Sequence, residues 1–333
     1  MGTPLVFHPY HDLQGRPNVI VDGSATAGTV LCLSHWPHTP CPAGCEADLS
    51  AEMAFRYLGC SHLHGDAGLV SNNHFDQDGL VSMLTLVDPE AALAHRELLT
   101  DLASAGDFGT YRSRDAARAS MAIAAFADPE RSPLPGLPSD HQAATALLYE
   151  ALLGRAIELV THTDRYSALW RDEDACLTAS ERCLRGQVRI EEVPDVDLAI
   201  FTVPDEGPGI PREGGHRFAS SWVAGLHPMA LHNATDRMAV AVLQGRRCTF
   251  TYRYETWVQF RSRLLRQRVD LAPLCRVLNE LEAGGVTWEA DAPGTLVAGL
   301  RCTGGGESAI APGRFRALLL DHLRTAAPAW NPY

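Results

Sequence analysis

Residues Ser71–Met83 read SNNHFDQDGLVSM. One histidine and two aspartates fall at alternate positions, 74, 76 and 78, and a glycine and an apolar run follow at once. On an extended backbone alternate side chains share a face, so His74, Asp76 and Asp78 are expected to project together from a strand end, with Gly79 letting the chain turn into a helix. Carboxylates held side by side raise one another's pKa, and a divalent cation is the simplest offset. Imidazole and carboxylate ligands together suit manganese, iron, cobalt or zinc better than calcium alone. The plain alternative is an acidic surface turn.

The flanking segments weigh against that alternative. NVIVDG (Asn18–Gly23) and GTVLCLSHWP (Gly28–Pro37) are short apolar runs closed by turn residues and read as buried strands, one ending on Asp22 and the other on His35. DLSAEMAFRYLG has an Asp or Ser to cap a helix and a glycine to end it. LVSMLTLV and PEAALAHRELLTDLASAG are helical as well. Strands alternating with helices predict an α/β sheet, whose strand carboxyl ends line a binding crevice. Asp107, in ASAGDFGT, is expected on a glycine-flanked loop after a helix. Six candidate metal ligands, Asp22, His35, His74, Asp76, Asp78 and Asp107, can thus converge.

The chain has 333 residues, 46% of them hydrophobic, which suits two domains. Residues 112–185 are almost wholly helical in pattern. Beyond them QVRIEEV, LAIFTV, RMAVAVLQG and RCTFTYRYE have strand character, and DLAPLCRVLNELEAGG and GRFRALLLDHL have helical character. The expected organisation is a metal-binding α/β domain with a helical extension, residues 1–185, and a smaller α+β substrate or cap domain, residues 186–333. Twenty-eight Lys and Arg against forty Asp and Glu give a formal charge of −12, which argues against extended nucleic acid or an anionic membrane as partner but not against a small anionic substrate held by metal. No long apolar run and no basic-then-apolar leader stand out, so a cytoplasmic location is expected. Nine cysteines in irregular spacing suit reduced thiols. Cys41, Cys45 and Cys60 with His62 and His64 are a loosely spaced zinc set, read by preference as ordinary loop residues.

The motif HFDQDGLVS resembles the first motif, His-x-Asp-x-Asp-Gly, of the DHH (Asp-His-His) phosphoesterase superfamily. SAGDFGT is similar to the glycine–aspartate motif that supplies a late ligand in some members, VIVDG resembles the strand-ending aspartate of the second motif, and LSHWP occupies the place of the third. The order is rearranged, since VIVDG and LSHWP precede the His-x-Asp-x-Asp motif, and Ser34-His35-Trp36 stands where the family has Asp-His-His. The resemblance implies an N-terminal DHH-like α/β lobe holding two ions, Mn2+ or alternatively Fe2+, Co2+ or Zn2+. One ion would be held by His74, Asp76 and Asp22, the other by Asp78, His35, Asp107 and the same Asp22, with a bridging water as nucleophile. Asp22, His35 and His38, the nearest substitute for the missing histidine, would carry catalysis. LSHWP and NNHFDQDG also resemble an uncharacterised bacterial family, which by itself assigns no activity.

In the second domain, CTGGGESA (Cys302–Ala309) offers backbone N–H groups to an anion through Gly304, Gly305 and Gly306, beside Ser308. It resembles the superfamily's glycine-rich substrate loop. Arg237, Arg253 and Arg314 are cationic candidates, with surface salt bridges as the default. Tyr252, Tyr254 and Trp257 could stack a base or pack a core. Asp140-His141 is read as a helix cap rather than a motif. No phosphate-binding loop with lysine and no GxGxxG occurs, which disfavours Walker-type ATP hydrolysis and NAD chemistry. The expected function is cleavage of a phosphoester or phosphoanhydride, with a nucleotide among the candidate substrates. The alternatives are metal-dependent chemistry on a non-phosphate molecule and a non-catalytic metal or nucleotide binder. Whether the chain forms a homodimer is left open.

Overall fold

A computed structural model describes residues 4–205, 224–283 and 285–333. The described residues form two compact units. One holds the chain up to Ala175 with Phe260–Ser262, and the other holds the rest of the chain from Cys176 to Tyr333. Each mixes helix and strand, so the protein is α/β, with one parallel sheet and one mixed sheet. The division falls ten residues before the expected boundary, inside a single helix (Ser167–Gly186), and three residues from far downstream belong to the first unit. A helix running through a boundary leaves no linker composition to mark it.

The first unit's sheet has strands β1 (Val6–Phe7), β2 (Asn18–Val21), β3 (Thr29–Leu33) and β4 (Leu69–Ser71) in the order β1-β4-β2-β3, all parallel. Parallel strands bring their carboxyl ends to one edge. There β2 runs into Asp22, β3 into Ser34 and His35, and β4 into Asn72, Asn73 and His74. Parallel neighbours usually need a crossover of about a dozen residues or more, yet only residues 22–28 join β2 to β3. Gly28 makes the short return feasible. Its φ is +83°, and a Cβ there would lie 2.3 Å from the carbonyl oxygen of Gly15.

Helices α1 (Ser50–Tyr57), α2 (Gln77–Val87), α3 (Pro89–Ala94), α4 (Arg96–Asp107) and α5 (Arg114–Phe126) follow, with α2 packed against α1 and α4, and α4 against α5. Helix α2 buries Leu80, Val81, Met83, Leu84 and Leu86 together with Ser82 and Thr85, so it is a core helix rather than a surface one. The helical extension consists of α6 (His141–Leu152), α7 (Ala156–Thr161) and α8 (Ser167–Gly186). Asp140 caps α6, its carboxylate accepting from Ala143 N at 2.8 Å, which accounts for the Asp140-His141 pair.

The second unit's sheet has six strands: β5 (Arg189–Val193), β6 (Leu198–Val203), β7 (Ala239–Gln244), β8 (Arg247–Tyr252), β9 (Trp288–Ala290) and β10 (Gly299–Cys302). Their order is β5-β6-β7-β8-β10-β9, and the β6–β7 pair is parallel while the others are antiparallel. A short helix α9 (Pro228–Asn233) precedes β7. Helices α10 (Ala272–Leu281) and α11 (Pro312–Thr325) bury Leu274, Leu278, Phe315 and Leu319 in one cluster with Leu198, Ile200 and Phe250 of the strands. Among the described residues no helix is long and apolar enough to cross a membrane.

Candidate metal centre

All six ligand candidates of the first unit meet in space. Asp22, His35, Asp78 and Asp107 form one buried group, and Asp22, His74 and Asp76 form a second, partly buried one. Within each group one ligand atom per residue lies within 4.8 Å of the others. Asp22 belongs to both. His35 Nε2 is 3.6 Å from Asp22 Oδ1, 3.4 Å from Asp107 Oδ2 and 3.9 Å from Asp78 Oδ2. On the other side His74 Nε2 is 3.3 Å from Asp22 Oδ2 and 2.8 Å from Asp76 Oδ2. The two oxygens of Asp22 therefore face the two groups separately.

Asp22 leaves the end of β2 with φ +45°, its N–H donating to Leu33 O at 2.9 Å. This left-handed turn is held by the asparagine pair. Asn73 Oδ1 accepts from Ser24 N at 3.0 Å, and a Cβ on Gly23 would lie 2.2 Å from that oxygen. The neighbouring Asn72 takes His74 N on its Oδ1 at 3.1 Å and donates from Nδ2 to the Tyr149 hydroxyl, which donates in turn to His74 O. His35 is fixed from behind. Its Nδ1 lies 2.6 Å from Asp48 O, and since a carbonyl only accepts, Nδ1 carries the proton and Nε2 turns a lone pair to the carboxylates.

The His-x-Asp-x-Asp stretch works differently from the extended strand expected. Strand β4 stops at Ser71 and α2 begins at Gln77, so His74 and Asp76 lie on the connecting loop and Asp78 lies in the first helical turn. Asp76 is the helix N-cap, its Oδ1 accepting from Gly79 N at 2.8 Å. Gly79 is needed for space rather than for a turn, because a Cβ there would come within 2.6 Å of both Asn72 Nδ2 and the Tyr149 hydroxyl. Asp107 is likewise the last residue of α4 and buried, not a loop residue. Gly106 beside it lets Gln77 pack at a distance a Cβ would close to 2.4 Å.

Asp78 also does the capping that sequence assigns to Asp48 or Ser50. The start of α1 has no side-chain cap of its own. Instead Ser50 N and Ala51 N donate to Asp78 Oδ2 and Oδ1, each at 2.8 Å, while Ser50 Oγ donates to Asp22 Oδ1 at 2.9 Å. The Asp48 carboxylate is engaged elsewhere, accepting from Arg261 N and Ser262 N at 2.6 and 2.8 Å. Phe260 packs on Phe108 with ring centroids 5.8 Å apart. Asp48, Ser50, Asn72, Tyr149 and the Phe260–Ser262 segment are thus supporting residues that sequence reasoning missed. The DLS stretch, marked only as a helix start, was the one hint.

Burial drives the Asp22 carboxyl above its usual pKa, and Asp76 adds to the rise against the opposing pull of His74 and His35. Burial, then Asp22, Asp107 and Asp76, push Asp78 well above the usual carboxylate range despite its two amide donors. His35 is held below its usual range by burial. For His74 burial also pulls downward, but Asp76 and Asp22 outweigh it and lift the imidazole well above its ordinary value. A buried set of four carboxylates and two imidazoles with these shifts takes up protons when alone and is suited to divalent cations. The donor set fits a metal.

Other candidates are placed elsewhere. His38 is exposed, with φ +58°, and belongs to neither ligand group. Trp36 lies against the His74 ring, centroids 5.1 Å apart. In the second unit the Cys302–Ala309 loop does bind an anion, but it is the protein's own. Ser308 Oγ donates to Glu282 Oε2 at 2.6 Å and Ala309 N to Glu282 Oε1 at 2.7 Å, while Gly304 and Gly305 form a tight turn and Gly306 abuts Val286. Arg237 is bound to Glu192 at 2.6 Å and lies 3.6 Å from Asp197, and Arg253 pairs with Glu255. Of the anion site expected from Gly304, Gly305, Gly306, Ser308 and Arg237, the Ser308 hydroxyl and the Arg237 guanidinium are thus engaged by carboxylates of the same unit. Tyr252 is buried, and Tyr254 stacks on Trp257, which stacks on Trp330. Cys41, Cys45, Cys60, His62 and His64 enter no ligand group among the described residues, and His64 Nε2 bonds Tyr57 O at 2.9 Å.

Fold and site together define an α/β protein with a buried His/Asp centre in which one carboxylate joins two groups of potential metal ligands. The chain belongs to the family of unknown function DUF6687, which it matches over residues 3–333. No curated protein and no solved structure matches it.

Proposed function

We propose that the protein is a divalent-metal-dependent hydrolase that cleaves a phosphoester or phosphoanhydride. The observation that carries this reading is the shared carboxylate: Asp22 turns Oδ1 toward the buried group and Oδ2 toward the half-buried group. Bound there, a pair of divalent cations, with manganese the first choice for mixed imidazole and carboxylate donors, would supply Lewis acidity for hydrolysis at phosphorus. Asp78, anchored by two backbone amides, and His35, locked in one tautomer by Asp48 O, would hold the inner ion with Asp107. His74 and Asp76 would hold the outer one on the more accessible side, with side chains 20% and 10% exposed. Substrate would approach from that side, where Trp36 packs against His74. The test is hydrolysis of bis(p-nitrophenyl) phosphate and of pyrophosphate by full-length protein with added Mn2+, Co2+ or Mg2+. Turnover of either supports the reading. Metal binding without turnover of either moves the assignment to non-phosphate chemistry or to a binding role.

A further inference from the structure

The carboxylates of the centre are held in unlike ways. Asp78 has both oxygens on backbone amides, and Asp76 has one oxygen on the Gly79 amide. Asp22, the one shared by both groups, is instead oriented by a side chain, Ser50 Oγ at 2.9 Å. That serine is fully buried and is itself oriented twice over. Its N–H donates to Asp78 Oδ2, and its Oγ accepts from His35 N at 3.2 Å. With that N–H already occupying a lone pair, the single hydroxyl proton is directed to Asp22 Oδ1.

We propose that Ser50 is a positioning residue that fixes the rotation of the Asp22 carboxylate, so that one oxygen is presented to each ligand group. The inference rests on the two-ion reading above and names what makes the bridge possible. Without the hydroxyl the carboxylate is free to turn so that both oxygens serve one group, and the two ions cease to share a ligand. The carboxylate lies at the junction of the groups, with Oδ1 3.6 Å from His35 Nε2 and Oδ2 3.3 Å from His74 Nε2, so even a modest rotation removes one of the two contacts.

The experiment is Mn2+ titration of full-length protein, first stripped with chelator, followed by electron paramagnetic resonance. The parent and the variants Ser50→Ala and Ser50→Thr are compared, together with the thermal midpoint of each metal-free protein. The parent is expected to take up two ions with an exchange-coupled spectrum. Ser50→Ala should bind the second ion about tenfold more weakly or worse, the scale of loss when an outer-shell partner is removed, and should lose the coupling. Ser50→Thr, which keeps the hydroxyl, should retain it, and the metal-free midpoint of Ser50→Ala should fall by a few degrees because His35 N loses its acceptor. Parental affinities and coupling in Ser50→Ala would overturn the proposal. So would a lowered metal-free midpoint with unchanged metal binding, since that is a purely structural role. A parent that shows no coupled pair removes the two-ion reading itself, and with it this inference, and is recognised from the parent's spectrum alone.

Discussion

Both units bury charge, and the partners they give it differ. In the second unit Arg268 is fully buried with every guanidinium N–H directed to an oxygen: Thr256 Oγ, and the carbonyls of Pro293, Thr295, Arg253 and Leu296. Its pKa drops to about 10 through burial, opposed by Tyr252 and Glu255, and it stays charged at neutral pH. In the first unit the hydrogen bonds from Ser50, Ala51 and Gly79 orient carboxyl oxygens, but the crowded carboxyls are balanced only by protons, with Asp22, Asp78 and His74 all raised. A saturated cation holds a fold together. A cluster of carboxyls that is oriented but balanced only by exchangeable protons is a place to receive cations.

The largest effect is expected at Asp22. Asp22→Asn keeps the shape and removes the charge common to both groups, so manganese content should fall from two ions to one or none, and hydrolysis on the order of a thousandfold or more. The metal-free thermal midpoint should hold or rise, because a buried like charge is gone. Elemental analysis, the phosphodiester assay and a thermal scan check the three parts, and a variant with full occupancy and undiminished turnover refutes the bridging role. Arg268→Met is the converse. It strands several buried acceptors, and at about 1–3 kcal/mol for each unsatisfied group the loss should reach about 3 kcal/mol or more in urea unfolding. Manganese stoichiometry of the folded variant should not change. Parental stability would show that the Arg268 network is not structural.

The metal-free protein should also lose stability as pH rises. Asp22 and Asp78 have raised values, so above pH 3.8 the folded chain holds protons that the unfolded chain has released, and stability falls as pH rises. His74, also raised, contributes stability that is complete below 6.5 and lost as pH climbs through its folded value. His35 is lowered and has the opposite sign, but it acts only as pH falls below 6.5. From pH 6.5 to 9 the thermal midpoint of the metal-free protein should therefore decline. Saturating Mn2+ should reverse the slope, since ligands lose protons on binding. A flat profile without metal would mean that the acidic cluster is not held in the buried state described.

Much of the centre was legible because ligands at the ends of parallel strands follow a simple rule: Asp22 and His35 close apolar runs, and His74, Asp76 and Asp78 are packed into five residues. The backbone expected for four of the ligands did not hold, since His74 and Asp76 lie on a loop rather than a strand. Asp78 and Asp107 lie in helices, where a single sequence cannot show that the first turn of one helix and the last turn of another face the same point. The support for the site was harder to read. Ser50 and Ala51 meet Asp78 through backbone amides, which have no side-chain signature, and Arg261 reaches Asp48 across more than two hundred residues of chain. The glycine-rich loop and Arg237 misled in the other direction. Composition shows that a group can bind an anion, but not that Glu282 and Glu192 of the same chain already occupy Ser308 and Arg237.

The smallest effect expected is at Trp36. Trp36→His brings Ser34-His35-Trp36 nearer the Asp-His-His pattern but removes no ligand, so manganese affinity should stay within about threefold of the parent, the scale of one aromatic contact. A larger loss by titration would make the Trp36–His74 stack part of the outer ligand group.

The most direct test of the central claim is a count of bound metal. Full-length protein, stripped with chelator, dialysed against Mn2+ and separated from free ion, should retain two manganese ions per chain by elemental analysis. Retention of none, or of one ion at saturation, would contradict a centre in which Asp22 serves two metals.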